Sequence, residues 1–260
     1  MIFGKHINRY YLKYFPMLAL GVAALIAVDY VQLFIPELYE MVINGMKDGR
    51  VVIDGTAHAF DMTFLLDRIC ITHYDFKKIC YETESTIKHH DAMNCRCIGI
   101  GDNPFEKNAC GFERLCDEIA PVIPKINASG HKLMYHNHHW EFDKCDGKTH
   151  LEYICDRFTP DELGITLDTY WVQFGGGDVC AYLEKLKGRC ECIHLKDLAI
   201  VNDEQRMASI GSGSMSFDRI LKAAEKAGVQ YALVEQDNCY GEDPFECLKK
   251  SYEYLKSLGY

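Results

Sequence analysis

From Ile69 to the C-terminus, short runs of apolar residues alternate with longer stretches whose apolar positions recur at helical spacing. The runs are Ile69–Thr72, Cys97–Gly101, Lys132–His136, Gly164–Asp168, Cys192–Leu195 and Tyr231–Glu235, which are strand lengths. Between them, Phe217–Ala227 with Ser216 as N-cap and Pro244–Leu258 with proline in its first turn read as amphipathic helices. Strand starts recur every 28 to 39 residues, the spacing of βαβ units rather than of an antiparallel meander. The pattern predicts an α/β fold with a parallel sheet. Each run ends in polar or ionisable residues: His73; Asp102; His136-Asn137-His138; Asp168; His194; and Glu235-Gln236-Asp237. In a parallel α/β barrel the carboxyl ends of the strands open on one face, so these side chains would converge. About six βα units are visible where a closed barrel needs eight.

The start of the chain reads differently. Tyr14 to Leu38 is nearly continuous apolar sequence, broken only by Asp29, Gln32 and Glu37. It predicts one long apolar helix, long enough to cross a bilayer core of about 30 Å. Lys5, Arg9 and Lys13 precede it and Asp48 and Asp54 follow it, which would leave the N-terminus in the cytoplasm. The run is too long for a cleaved signal peptide and no small-residue cleavage site follows. A buried helix of a soluble domain is the competing reading, supported by Asp29 and Gln32. The segment MLALGVAALIAVDYVQLFIPELYEMVINGMKDG, with its D-x-x-Q-L-x-I-P turn, resembles the first transmembrane helix and following loop of a bacterial ABC exporter permease. That resemblance covers about residues 1–68, so membrane contact through 14–38 is expected. No second apolar run of 18 residues and no G-x-x-x-x-G-K-[ST] phosphate loop occurs in the sequence, so transport by this chain alone is excluded. Two parts are therefore expected, 1–68 and 69–260.

Composition narrows the function classes. Of 260 residues, 48% are hydrophobic and 25% charged, as in ordinary globular proteins. Lys and Arg total 28 against 38 Asp and Glu, a formal charge of -10, which makes nucleic acid a poor partner. The thirteen cysteines are odd in number and form no CxxC pair; they read as reduced thiols of a cytosolic or anaerobic protein. None falls in the first 69 residues, a composition shift at the boundary between the two parts.

YHNHHWEF, LDTYWVQFGGGD, IHLKD, IGSGSMSFDRIL and LVEQD, in that order and spacing, resemble the xylose-isomerase-like TIM barrels of the sugar phosphate isomerase/epimerase family. The resemblance runs from about Ile69 to Tyr260. It implies an incomplete TIM (β/α) barrel holding the third to eighth strands, without the first two βα units, preceded by the long apolar helix.

The resemblance also implies a divalent metal, Mn²⁺ first, with Mg²⁺, Co²⁺ or Zn²⁺ as alternatives. Carboxylate oxygens and imidazoles hold such ions and leave positions for a substrate's adjacent hydroxyl and carbonyl. Asp168, His194 and Glu235 supply that set from three successive strand ends. The fourth ligand is His136 or Glu141, because relatives often carry Glu where this chain has His136. The implied chemistry is proton abstraction from a carbon beside a carbonyl of a small sugar or polyol. Glu235 or Glu141 would move the proton, and His138 or Lys196 would polarise the carbonyl. His73 and Trp171 are candidate substrate contacts.

Plainer roles compete for several of these residues. Asp168 alone would serve as a helix cap, Lys196 can pair with Asp197 or another carboxylate, Trp171 can be core, and His139 reads as a solvated loop residue. Gly175-Gly176-Gly177 and Gly211-Ser212-Gly213 can cradle a phosphate or form ordinary βα turns. Two other classes of function stand beside the enzyme: a non-catalytic, membrane-anchored or joined fragment, and a sugar-binding partner subunit.

Overall fold

The computed structural model describes residues 70–260 and the backbone of residues 50–53 and 56–59. The chain divides into two compact units, Met1–Leu65 and Leu66–Tyr260. In the first, strands β1 (Arg50–Ile53) and β2 (Thr56–Ala59) pair antiparallel, with Arg50 opposite Ala59. The intervening Asp54-Gly55 is a dipeptide that favours two-residue hairpin turns. The strands expected from the sequence begin at Ile69, so this hairpin is an addition. The apolar run 14–38, with its expected helix and its exporter-like resemblance, lies outside the described residues. Among the described residues no helix is long and apolar enough to cross a membrane.

In the second unit, β3 (Ile71–Tyr74), β4 (Cys97–Ile100), β5 (Lys132–His136), β8 (Leu163–Asp168), β9 (Cys192–Leu195) and β12 (Tyr231–Val234) form one six-stranded sheet in chain order. Every pairing in it is parallel. Parallel neighbours need crossovers, which are the helical segments 76–92, 109–128, 150–157, 169–185 and 217–227, with Pro244–Ser257 closing the chain. Two small hairpins interrupt the connections: β6 (Lys144–Cys145) with β7 (Lys148–Thr149), and β10 (Asp197–Val201) with β11 (Glu204–Ala208). The architecture is a half-barrel of six parallel strands.

Burial follows from this order. β4, β8 and β9 are buried along their whole length, as parallel strands covered on both faces must be. β12, at one edge, keeps Tyr231 41% and Leu233 36% exposed, because no strand of the six lies beyond it. Period-two alternation sorts the central strands. Ile98, Ile100, Leu133, Tyr135, Ile165, Leu167, Ile193 and Leu195 join the core with Phe112, Leu115, Leu151 and Phe217 of the helices. The intervening residues, among them Gly99, His136, Asp168 and His194, take the opposite face. Space there is tight: a Cβ at Gly99 would run into the His73 ring, and one at Gly164 into Met134.

Most expected boundaries stand, with local corrections. β3 begins two residues later than expected, where Ile71 pairs with Cys97. The helix Phe217–Ala227 forms and ends at Gly228 with φ 86°, but the Ser216 side chain makes no capping hydrogen bond. The last helix is capped by Asp243, whose carboxylate accepts from Phe245 N and Glu246 N.

Candidate active site

Four strand ends deliver four ligand-bearing side chains to one place. His136 is the last residue of β5, Asp168 the last of β8, His194 the third of β9, and Glu235 follows β12 directly. Glu235 N donates to Leu195 O at 3.1 Å, which carries the parallel ladder one step further and fixes where its side chain departs. One ligand atom from each of His136, Asp168, His194 and Glu235 lies within 4.8 Å of the others.

Neighbouring groups orient each member. His136 Nδ1 lies 3.2 Å from the Gly101 carbonyl, which can only accept, so Nε2 is the nitrogen left to face Asp168 Oδ2 at 3.3 Å. Asp168 divides its carboxylate: Oδ1 accepts from Trp171 N at 3.1 Å and caps the helix Thr169–Phe174, while Oδ2 faces the imidazoles. The capping role and the site role are held by different oxygens of one side chain. His194 Nδ1 lies 3.9 Å from Asp168 Oδ2 and 2.5 Å from Glu235 Oε2.

Lys196 closes the group from below. It is 2% exposed, and its Nζ lies 3.2 Å from Asp168 Oδ2, 3.2 Å from Glu235 Oε2 and 2.9 Å from Asp237 Oδ2. Burial works against its charge, but Asp168, Asp237 and Glu235 outweigh this and raise its pKa. Burial would likewise raise the Glu235 carboxyl, yet hydrogen bonding and charge from His194 and Lys196 hold it well below the ordinary carboxylate range. Of the two kinds of partner expected for Lys196, it is the other carboxylates, not Asp197, that pair with it. Asp197 turns away and accepts from Leu198 N, Gly211 N, Gly213 N and Met215 N.

His138, Trp140 and Trp171 stand beside the group. The His138 ring lies 4.8 Å from that of His136, stacks on Trp140 at 4.6 Å with an 18° tilt, and is 5.4 Å from Trp171. Burial and the neighbouring His136 push the His138 imidazole down to about 3. His139 is not a solvated loop residue: its ring packs 4.7 Å from Trp140 and 5.0 Å from Phe174. His73 is exposed on β3, with its ring 5.0 Å from His136 and 5.2 Å from His194.

Glu141 is not brought into the four-residue group. The turn Trp140–Phe142 carries it back beneath β5, where it is fully buried. Its Oε1 accepts from Tyr135 OH at 2.5 Å and its Oε2 from His138 N at 2.8 Å. Burial raises its pKa to about 7 despite these hydrogen bonds. Asp237, Trp140 and Tyr135 were not singled out from the sequence. Asp237 sat in the quoted strand-end triplet, and Trp140 in the YHNHHWEF motif.

Residues 82–258 match the family model for the xylose isomerase-like TIM barrel. The chain belongs to this family. Solved structures with the xylose isomerase-like fold include a sugar phosphate isomerase/epimerase from Parabacteroides distasonis ATCC 8503. It is 22% identical, with 82% of this chain and 80% of that one covered and a TM-score of 0.60. A D-tagatose 3-epimerase-like protein (17% identity, 76% and 81% covered, TM-score 0.54) and an L-ribulose 3-epimerase (13%, 77% and 80%, 0.55) share it. At such identities the likeness speaks for the fold. No curated protein matches the chain.

Proposed function

We propose that this xylose isomerase-like chain is a metal-dependent sugar or polyol isomerase/epimerase that abstracts a proton beside a carbonyl. The observation that carries the reading is the convergence of His136, Asp168, His194 and Glu235 within 4.8 Å. Two imidazole nitrogens and two carboxylate oxygens are donors suited to Mn²⁺, Mg²⁺, Co²⁺ or Zn²⁺. The approach of His194 Nδ1 to Glu235 Oε2 at 2.5 Å and to Asp168 Oδ2 at 3.9 Å fits the same reading, since a shared cation would draw on all three donors. When bound, the cation supplies a Lewis acid for the oxygens of the substrate.

The chain's own residues do the rest. Glu235, held ionised by His194 and Lys196, is a standing proton acceptor at the mouth of the sheet. Lys196, held as an ammonium, faces the same place and favours negative charge developing on a substrate oxygen. His138 stays neutral and serves as a hydrogen-bonding imidazole rather than as an acid. Asn137 Oδ1 accepts from Asp168 N at 3.0 Å and so helps fix the end of β8.

The test is solvent-deuterium incorporation into a panel of ketoses and keto-polyols. Label is expected with the native chain and not with Glu235→Gln. Equal rates in both would remove Glu235 from the chemistry. Absence of label with metal bound would favour a non-catalytic sugar-binding protein.

A further inference from the structure

We propose that this site takes an uncharged, polyhydroxylated ligand, a free ketose or keto-polyol, and discriminates against its phosphate ester. The proposal rests on the function given above and names the substrate class within it.

Charge carries the first part. Three carboxylates meet at the site, those of Asp168, Glu235 and Asp237, against the single ammonium of Lys196. A divalent cation brings this set to neutrality, and an uncharged ligand leaves it there. A phosphate dianion would place two further negative charges beside three carboxylates. Lys196 cannot receive them without letting go: an ammonium has three N–H donors, and three carboxylate oxygens lie within 3.2 Å of this one.

Among the described residues, the backbone amides of the two glycine turns beside the strand ends are occupied as well. Gly211 N and Gly213 N both donate to Asp197 Oδ2 at 2.9 Å, so a carboxylate of the chain already sits in that nest. In the other glycine turn, Gly175 N, Gly176 N and Gly177 N donate to the carbonyls of Trp171, Gln173 and Val172. Lys107 is held by Asp102 at 2.6 Å. Arg219 lines a separate cavity of about 310 Å³ whose walls include none of the four ligand-bearing residues.

The remaining wall is aromatic with isolated polar atoms, and an ammonium over it, Lys107 Nζ at 4.4 Å from the Trp140 ring, is paired with Asp102. His138, Trp140 and Trp171 gather beside the group, and His138 Nδ1, Trp140 Nε1 and Trp171 Nε1 are buried without a partner. Flat rings carrying single N–H groups match the C–H faces and scattered hydroxyls of a sugar, and hydroxyls can both donate to and accept from such nitrogens.

The chain contains two tryptophans, Trp140 and Trp171, so intrinsic fluorescence reports directly on this wall. Full-length, Mg²⁺-saturated protein is titrated with ketopentoses and ketohexoses, each paired with its terminal phosphate ester, and solvent-deuterium exchange is followed in parallel. At least one free ketose is expected to change the fluorescence with an affinity about tenfold or more above that of its ester, the scale of a like-charge penalty. An ester that binds as tightly as its parent, or tighter, overturns the proposal while leaving the isomerase/epimerase reading intact. Silence from every ketose and ester in both measurements overturns both. Asp237→Ala removes one negative charge and one acceptor from Lys196 and should move the preference about tenfold towards the ester; an unchanged preference would refute the part assigned to Lys196.

Discussion

Asp168 joins two structures through its two oxygens: Oδ1 accepts from Trp171 N at 3.1 Å, and Oδ2 lies 3.3 Å from His136 Nε2. The side chain that starts the helix Thr169–Phe174 is thereby aimed at the imidazoles by the same backbone turn. Substitution should separate the two roles. Asp168→Asn keeps a capping oxygen but loses the anionic ligand, whereas Asp168→Ala loses both. The two variants should bind Mn²⁺ equally poorly, while Asp168→Ala should be less stable than Asp168→Asn by about 1 kcal/mol. Denaturant unfolding beside calorimetry checks this, and equal stabilities would remove the capping role.

Lys196 neutralises the fully buried Asp168 together with the partly exposed Glu235 and Asp237, which would otherwise face one another. Lys196→Met should destabilise the metal-free protein by about 3 kcal/mol, because it leaves Asp168, Glu235 and Asp237 without their cation. Mn²⁺ should then raise the melting temperature of the variant more than that of the native chain, by restoring positive charge. Equal shifts in a thermal melt would show that the ammonium and the metal do not share these carboxylates.

Glu141 sets a pH dependence. Its folded-state pKa is raised from 4.5 to about 7 by burial. The stability tied to its protonated form is therefore fully present below about pH 4.5 and lost as pH rises through about 7, amounting to at most about 3 kcal/mol. Glu141→Gln should remove that dependence, so the native chain should lose stability relative to the variant between about pH 5 and pH 8. Unfolding curves that stay parallel over that range would mean Glu141 is ionised throughout.

The half-barrel was legible because each strand is a short apolar run closed by a polar residue, and parallel strands end on one side. That logic also placed His136, Asp168, His194 and Glu235 together, since each stands at or beside a strand's carboxyl end. It could not place Glu141, whose position depends on the turn Trp140–Phe142 folding back under Tyr135 rather than continuing outward with β5. Nor could it pair Lys196 with Asp237, which lie 41 residues apart. The β10–β11 hairpin escaped notice for another reason. Ile200 and Val201 stay 58% and 39% exposed, so they carry no core signal, and the turn rests on Asn202 and Asp203 at positive φ of 52° and 64°.

The central claim is that His136, Asp168, His194 and Glu235 form one divalent-cation site, and calorimetric titration of Mn²⁺ tests it most directly. The expected result is one site per native chain, bound weakly because the Glu235 side chain, beyond the edge strand β12, is 38% exposed while its three partners are buried. His194→Ala should lose about 100-fold or more in affinity, while His89→Ala, an imidazole outside the group, should bind as the native chain does. Equal affinity in the native chain and in His194→Ala would contradict the claim.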